Sequence, residues 1–125
     1  IPNLSNIERV QFTCLDLNSS LTSFEENDIH NLRNLLYEFK AHKIIHEEFF
    51  DNGLNINGKE LKWKYKIQIK VTYPGRRLNK IYINYYFTEF INNHIFCGSP
   101  EQKIIFSPTK DDIEFLKEFF VKYKQ

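Results

Sequence analysis

In Lys62-Trp63-Lys64-Tyr65-Lys66-Ile67-Gln68-Ile69-Lys70-Val71-Thr72-Tyr73, every second residue is aromatic or aliphatic and every intervening one is polar or cationic. A β-strand sends successive side chains to opposite faces, so this period of two predicts a strand with one dry and one wet side. Pro74-Gly75 marks a turn, after which Ile81, Ile83, Tyr85 and Phe87 alternate with Lys80, Tyr82, Asn84 and Tyr86. The two runs form an antiparallel hairpin whose apolar side needs a cover.

Two helical patterns supply that cover. Ser23 and Glu26 have the capping-box spacing, in which hydroxyl and carboxylate each satisfy a backbone N–H at the helix start. Ile29, Leu32, Leu35, Leu36 and Phe39 then fall on one helical face, with Asp28, His30, Arg33, Asn34 and Glu38 on the other. At the far end, Ser107 is the expected N-cap, with Pro108 at the first helical position, where its missing N–H costs nothing. Ile113, Leu116, Phe119, Phe120 and Tyr123 follow at the same spacing, and the two helices align without a gap. Shared capping and amphipathicity explain most of that match; an internal duplication is the alternative.

Shorter strands are expected around this frame. Glu8 to Leu17 reads as a first strand, Asn18 to Thr22 as a Ser/Thr/Asn loop, and Ala41 to Phe50 as another strand. Asp51-Asn52-Gly53 and Asn57-Gly58 are turn signals, which predicts an exposed loop between them. His94 to Cys97 and Lys103 to Phe106 read as short strands around a Gly98-Ser99-Pro100 turn. The expectation is an α+β fold, residues 1–125 as one domain, with a mainly antiparallel sheet of four to five strands and two amphipathic helices on one face.

Composition agrees with a packed core. Of 125 residues 42% are hydrophobic, with 12 Phe, 7 Tyr and one Trp, and rings bury the most area per side chain. No apolar run is long enough for a membrane span. The chain has no Met, so Ile1 is expected to follow a removed segment, such as a secretion or lipoprotein leader.

Charge is balanced globally, 17 basic against 16 acidic residues, but not locally. Residues 59–80 carry Lys59, Lys62, Lys64, Lys66, Lys70, Arg76, Arg77 and Lys80 against Glu60 alone, while the segments on either side are net acidic. Since the apolar residues take one parity, the lysines are expected to share the wet side with Tyr82, Asn84 and Tyr86. The candidate binding residues are Lys62, Lys64, Lys66, Lys70, Arg76, Arg77, Lys80, Tyr82 and Tyr86. Such a face fits an acidic protein surface or an anionic envelope component. Phosphates and stacked bases of a nucleic acid are the alternative, and lysines that merely keep sheets from aggregating are the plainest one.

Signs of catalysis are weak. His42 and His46 are four apart beside Glu47 and Glu48, but a zinc site needs three or four ligands, and H-E-x-x-H lacks its second His. Asp111-Asp112 and Glu25-Glu26 sit where helix dipoles favour carboxylates. With four glycines, no phosphate loop and no nucleophile elbow, no catalytic residue, metal site or cofactor is expected, and the chain reads as a non-enzyme. Cys14 and Cys97 are either buried thiols or a bridge between strand ends, the latter implying an oxidising compartment. Asn3-Leu4-Ser5 and Asn18-Ser19-Ser20 match the glycosylation pattern, as chance allows in an Asn-rich chain.

The stretches Asn6-Ile7-Glu8-Arg9-Val10-Gln11-Phe12, Asp28-Ile29-His30-Asn31-Leu32, Lys66-Ile67-Gln68-Ile69 with its return Lys80-Ile81-Tyr82-Ile83, and Asp112-Ile113-Glu114-Phe115-Leu116 follow one another in a familiar order. That order resembles a diffuse class of small uncharacterised envelope lipoprotein domains in bacteria with AT-rich genomes. The resemblance implies an extracytoplasmic domain, lipid-anchored upstream of Ile1, that binds rather than catalyses; with the lysine and tyrosine face, the expectation is a non-enzymatic interaction or inhibitor-like domain of the cell envelope. The lysine-rich hairpin departs from the class. A cytoplasmic nucleic-acid-binding module using the same face is the competing expectation.

Overall fold

The alternating hairpin is the spine of the sheet. The computed structural model describes residues 7–38, 41–44, 49–50, 52–56, 58–73, 79–101, 104–106 and 108–124. In chain order the elements are β1 (Ile7–Cys14), β2 (Ser19–Leu21), α1 (Glu26–Glu38), β3 (Ala41–Ile44), β4 (Phe49–Phe50), β5 (Gly53–Ile56), β6 (Lys59–Tyr73), β7 (Asn79–Thr88), β8 (Cys97–Ser99), β9 (Ile104–Phe106) and α2 (Lys110–Tyr123). β6 and β7 pair antiparallel from Trp63 opposite Thr88 to Tyr73 opposite Asn79. Around them the sheet runs β2-β1-β6-β7-β8-β9-β3, with β4 and β5 attached through the start of β6.

The fold is α+β with two helices and a mostly antiparallel sheet, as the periodicities imply. The sheet exceeds four to five strands because several additions are too short to show a period. Ser19–Leu21 forms β2 inside the expected loop, and Ala41 to Phe50 contributes two strands, β3 and β4, rather than one. The stretch expected as an exposed loop after Gly53 is instead β5, paired residue for residue with Lys59–Lys62, and its Leu54 is fully buried. Gly98 and Ser99, expected in a turn, lie in β8, while His94 makes only an isolated bridge to Ile91.

Helix starts shift downstream in both cases. The carbonyl of Glu25 accepts the N–H of Ile29, so α1 begins at Glu26 and Ser23 stands outside it. Thr109 caps α2: its hydroxyl accepts from Asp112 N–H while the Asp112 carboxylate accepts from Thr109 N–H. Pro108 therefore precedes the cap, and Ser107 lies outside the described residues, as do Phe39 and Pro74-Gly75. Threonine wins here because Asp112 stands three residues beyond it to complete the reciprocal pair.

Both helices cover one sheet face. Rows of paired residues on that face, Cys14-Tyr65-Phe87-Cys97 and Phe12-Ile67-Tyr85 among them, meet Leu32, Leu35 and Leu36 of α1 and Leu116, Phe119 and Phe120 of α2. These buried trios hold aligned positions, and each helix follows a hairpin that flanks the β6–β7 seam, so the sheet order is symmetric outward from it as far as β2 and β9, with β3 added on one side only. Phe120 stands at the centre, with the rings of Tyr65, Phe87 and Phe12 at 4.2, 5.3 and 5.5 Å. The helices are also clamped end to start. Tyr123 donates to the Asp28 carboxylate, and Lys122 Nζ lies 2.8 Å from Asp28 and 2.6 Å from Glu25. Together they hold the Asp28 carboxyl below its ordinary range, the Lys122 hydrogen bond contributing most.

The cysteines cannot be bridged in this fold. Cys14 and Cys97 are buried at the two ends of one four-strand row, and three inter-strand steps of about 4.8 Å separate them. A disulfide spans at most about 7 Å between Cα atoms. Burial alone pushes the Cys97 thiol well up.

Candidate binding face

Opposite the helices, the other parity of β6 and β7 forms a face of cross-strand rows. Thr13, Lys66 and Tyr86 make one row, Gln11, Gln68 and Asn84 the next, then Arg9, Lys70 and Tyr82, and finally Thr72 and Lys80. Strand alternation thus brings together Lys66, Lys70, Lys80, Tyr82 and Tyr86 of the candidate set. No described helix covers them.

One expectation fails at the start of β6. Trp63 pairs with Thr88 and Tyr65 with Phe87, so β6 carries one residue more than β7 across that step. This is a β-bulge at Lys64, and it inverts the alternation behind it. Trp63, expected among the dry residues with Tyr65 and Ile67, turns to the lysine side, where its ring lies 5.6 Å from Tyr86. Lys62 takes the opposite parity and does not share a face with Lys66 and Lys70. Arg76 and Arg77 lie outside the described residues.

The bulge also keeps the lysine face from being wholly wet. Trp63, Leu54 and Ile105 form a second apolar cluster with Leu15, Ile56, Tyr86 and Phe96 packed against it. β5, carried by the displaced start of β6, brings Leu54 and Ile56 to that corner. Gly53 permits the approach, since a Cβ there would lie 1.9 Å from the Leu61 carbonyl oxygen. Beside the cluster opens a groove of about 820 Å³, lined by Leu15, Leu61, Trp63, Tyr86 and Ile91 and by three basic and three acidic residues, Lys59, Lys62, Lys64, Asp16, Glu60 and Glu89.

Carboxylates temper the charge of the face. Glu8, at a bulge in β1, lies 3.7 Å from both Lys70 and Lys80, and it accepts a hydrogen bond from the Thr72 hydroxyl at 3.0 Å. That hydroxyl first, and the two ammonium groups after it, lower the Glu8 carboxyl's pKa. Lys64 lies 3.8 Å from Glu89. In the middle row Gln68 donates to Asn84, and Asn84 donates to Glu101, each at 2.9 Å. Burial raises the Tyr86 phenol's pKa, with Glu101 adding to the effect. Lys70, only about a fifth exposed, sits over the half-exposed Tyr82 ring at 5.9 Å. Surface pairs of this kind hold side chains loosely, and an incoming carboxylate can replace them at little cost.

Sequence reading missed Trp63, the groove and the three interleaved carboxylates: Glu8 and Glu101 come from distant segments, and Glu89, next in the chain after β7, meets Lys64 only because the two strands pair. Among the described residues no helix is long and apolar enough to cross a membrane, and no three His, Cys, Asp or Glu cluster as a metal site requires. His42 falls on β3, whereas His46, Glu47 and Glu48 lie outside the described residues.

The elements define a two-layer α+β protein with helices on one side of its sheet and a mixed-charge, aromatic-studded face on the other. In comparisons with known families, curated proteins and solved structures, no match to this chain was found.

Proposed function

We propose that the chain is a non-enzymatic, inhibitor-like binding domain that engages an acidic protein surface through Lys66, Lys70, Tyr82 and Tyr86, with the Trp63 groove taking an apolar side chain beside them. The observation that carries this reading is the juxtaposition of a lysine and tyrosine face, covered by no described helix, with a mixed groove at its end that Trp63, Leu15, Leu61 and Tyr86 line on its apolar side. Rings next to partly neutralised cations are what protein interfaces favour, since charge guides the encounter while buried rings supply affinity. The extracytoplasmic, lipid-anchored setting that the lipoprotein resemblance implies belongs to the same proposal; fractionating cells that express the full-length protein tests it.

Nucleic acid is the weaker reading for a stated reason. Tracking a phosphate backbone requires a continuous cationic strip, whereas here Glu8, Glu89 and Glu101 interrupt the lysines. Trp63, the only tryptophan, stands in the groove and reports directly. The test titrates the protein with a tryptophan-free acidic-aromatic peptide, such as Asp-Phe-Glu-Tyr-Asp, and separately with an oligothymidylate. The expected result is a change in Trp63 emission with the peptide, weakened at least tenfold by Lys66→Glu. Tight, steeply salt-dependent binding of the oligonucleotide, with none of the peptide, would overturn it.

A further inference from the structure

Among the described residues, one strand edge of the long hairpin has no strand beside it. β8 pairs with β7 only at Tyr86 and Phe87, so from Asn79 to Asn84 no described strand completes the ladder on that side. The Thr88 N–H fixes which residues face it, because it donates to Phe96 on the β8 side at 3.0 Å. Alternate residues of an antiparallel strand share a direction, so Asn84, Tyr82 and Lys80 turn their N–H and C=O groups to the same open edge.

The other edges carry the usual protections. The part of β1 beyond β2 is bulged at Glu8, β3 has a register break between Ala41 and Lys43, and β2 and β4 are three and two residues long. Bulges and short strands both discourage pairing. By contrast, the β6–β7 ladder is unbroken from Tyr65–Phe87 to Tyr73–Asn79. Ile81 and Tyr82, side by side along the open edge, are 44% and 49% exposed.

The chemistry of the edge specifies its occupant. An antiparallel strand added there needs aliphatic residues opposite Ile81 and Ile83, a ring opposite Tyr82, and an amide or carboxylate opposite Lys80. Opposite Asn84 it needs a cation, since Glu101 accepts the Asn84 amide at 2.9 Å. Read in chain order, that is cation, aliphatic, aromatic, aliphatic, amide, and Lys80-Ile81-Tyr82-Ile83-Asn84 is such a segment. We therefore propose that the β7 edge pairs with the β7 edge of a second copy of this chain, antiparallel about a two-fold axis at Tyr82. Lys80 then lies opposite Asn84 and within reach of Glu101, and Ile81 opposite Ile83. Paired residues share a side of the sheet, so the helices of both copies lie on one side and their lysine faces form one surface on the other. The pairing does not depend on what that surface binds.

So short a ladder buries less than the roughly 1,200 Å² of a standard interface, and the association is weak and concentration-dependent. Sedimentation equilibrium from about 10 μM to about 1 mM covers the range such an interface populates. The expected mass rises from 15.1 kDa towards twice that value. Tyr82→Lys sets two ammonium groups at the axis and moves the midpoint at least tenfold higher in concentration, whereas Val121→Lys on the exposed face of α2 leaves it in place. Oxidative cross-linking reads the register independently of those variants, since the native thiols are buried. Two copies of Tyr82→Cys stand about 5.5 Å apart between Cα atoms, within disulfide span. Two copies of Lys80→Cys are offset by about 14 Å along the strands and stay unlinked. A mass of 15.1 kDa throughout, or equal cross-linking at both positions, would overturn the pairing.

Discussion

Replacing Phe120 by alanine tests the central claim about the fold, that one ring of α2 joins the helical layer to the sheet. Phe120 is 1% exposed, and Tyr65, Phe87, Phe12, Phe90 and Phe119 all place their rings between 4.2 and 6.2 Å from it. Truncating a buried phenylalanine costs about 3 to 5 kcal/mol, and each favourable ring pair adds about 0.5 to 1.5 kcal/mol beyond area. With this many ring neighbours the upper end, about 5 kcal/mol, is expected. An unfolding entropy near 2.1 cal/mol/K per residue makes that a fall in Tm of about 19 °C for 125 residues. With a urea m-value of about 2 kcal/mol/M, the midpoint drops by about 2.5 M. Urea unfolding followed by far-ultraviolet circular dichroism and by Trp63 emission measures it, with Val121→Ala as control. Val121 is the next residue in the chain but 79% exposed, and its loss should stay within about 0.5 kcal/mol. A loss below about 2 kcal/mol for Phe120→Ala would mean the ring is not enclosed as described, and the packing of α2 on the sheet would have to be abandoned.

Gly53→Ala should destabilise by about 2 to 4 kcal/mol, because the added Cβ meets the Leu61 backbone oxygen and no rotamer relieves it; Trp63 emission should shift red more than helical dichroism falls. Asp28→Asn should flatten the acid limb of a Tm-against-pH curve. The Asp28 pKa is lowered in the folded state, so its contribution is present above the unfolded value of 3.8 and is lost as pH falls through the folded one; an unchanged limb between pH 2 and 4 would refute the Lys122 clamp. Both thiols should resist a disulfide reagent in the folded protein and react on unfolding, and a mass two hydrogens short after air oxidation would contradict the row that separates them.

The hairpin and the buried faces of the helices were legible in the sequence because each follows from local periodicity. Ile67, Ile69 and Val71 on one side, and Leu116, Phe119 and Phe120 along one stripe, state which side chains avoid water whatever they pack against. β5 was not legible, because its turn residues look like a loop until Leu61 and Lys62 are placed beside them. The helix caps were misplaced by two residues for two different reasons. At α2 the reciprocal pair of Thr109 and Asp112 is local and was there to be read, but Ser107 with Pro108 offered a competing start; at α1 Glu25 and Asp28 are engaged by Lys122 and Tyr123, far along the chain.

The binding face divides along the same line. Alternation in the chain alone assigned Lys66, Lys70, Lys80, Tyr82 and Tyr86 to one side of the hairpin, because backbone geometry fixes a period of two within any strand. Tertiary structure decided that Lys62 leaves that side and Trp63 joins it, since Trp63-Lys64-Tyr65 alternates without a visible break. A bulge is a property of two strands: it exists only in the count of residues on β6 against those on β7. The carboxylates of Glu8 and Glu101 likewise come from segments distant in sequence, and Glu89 reaches Lys64 only across the paired strands, so their effect on the face is set by pairing, which no local pattern records.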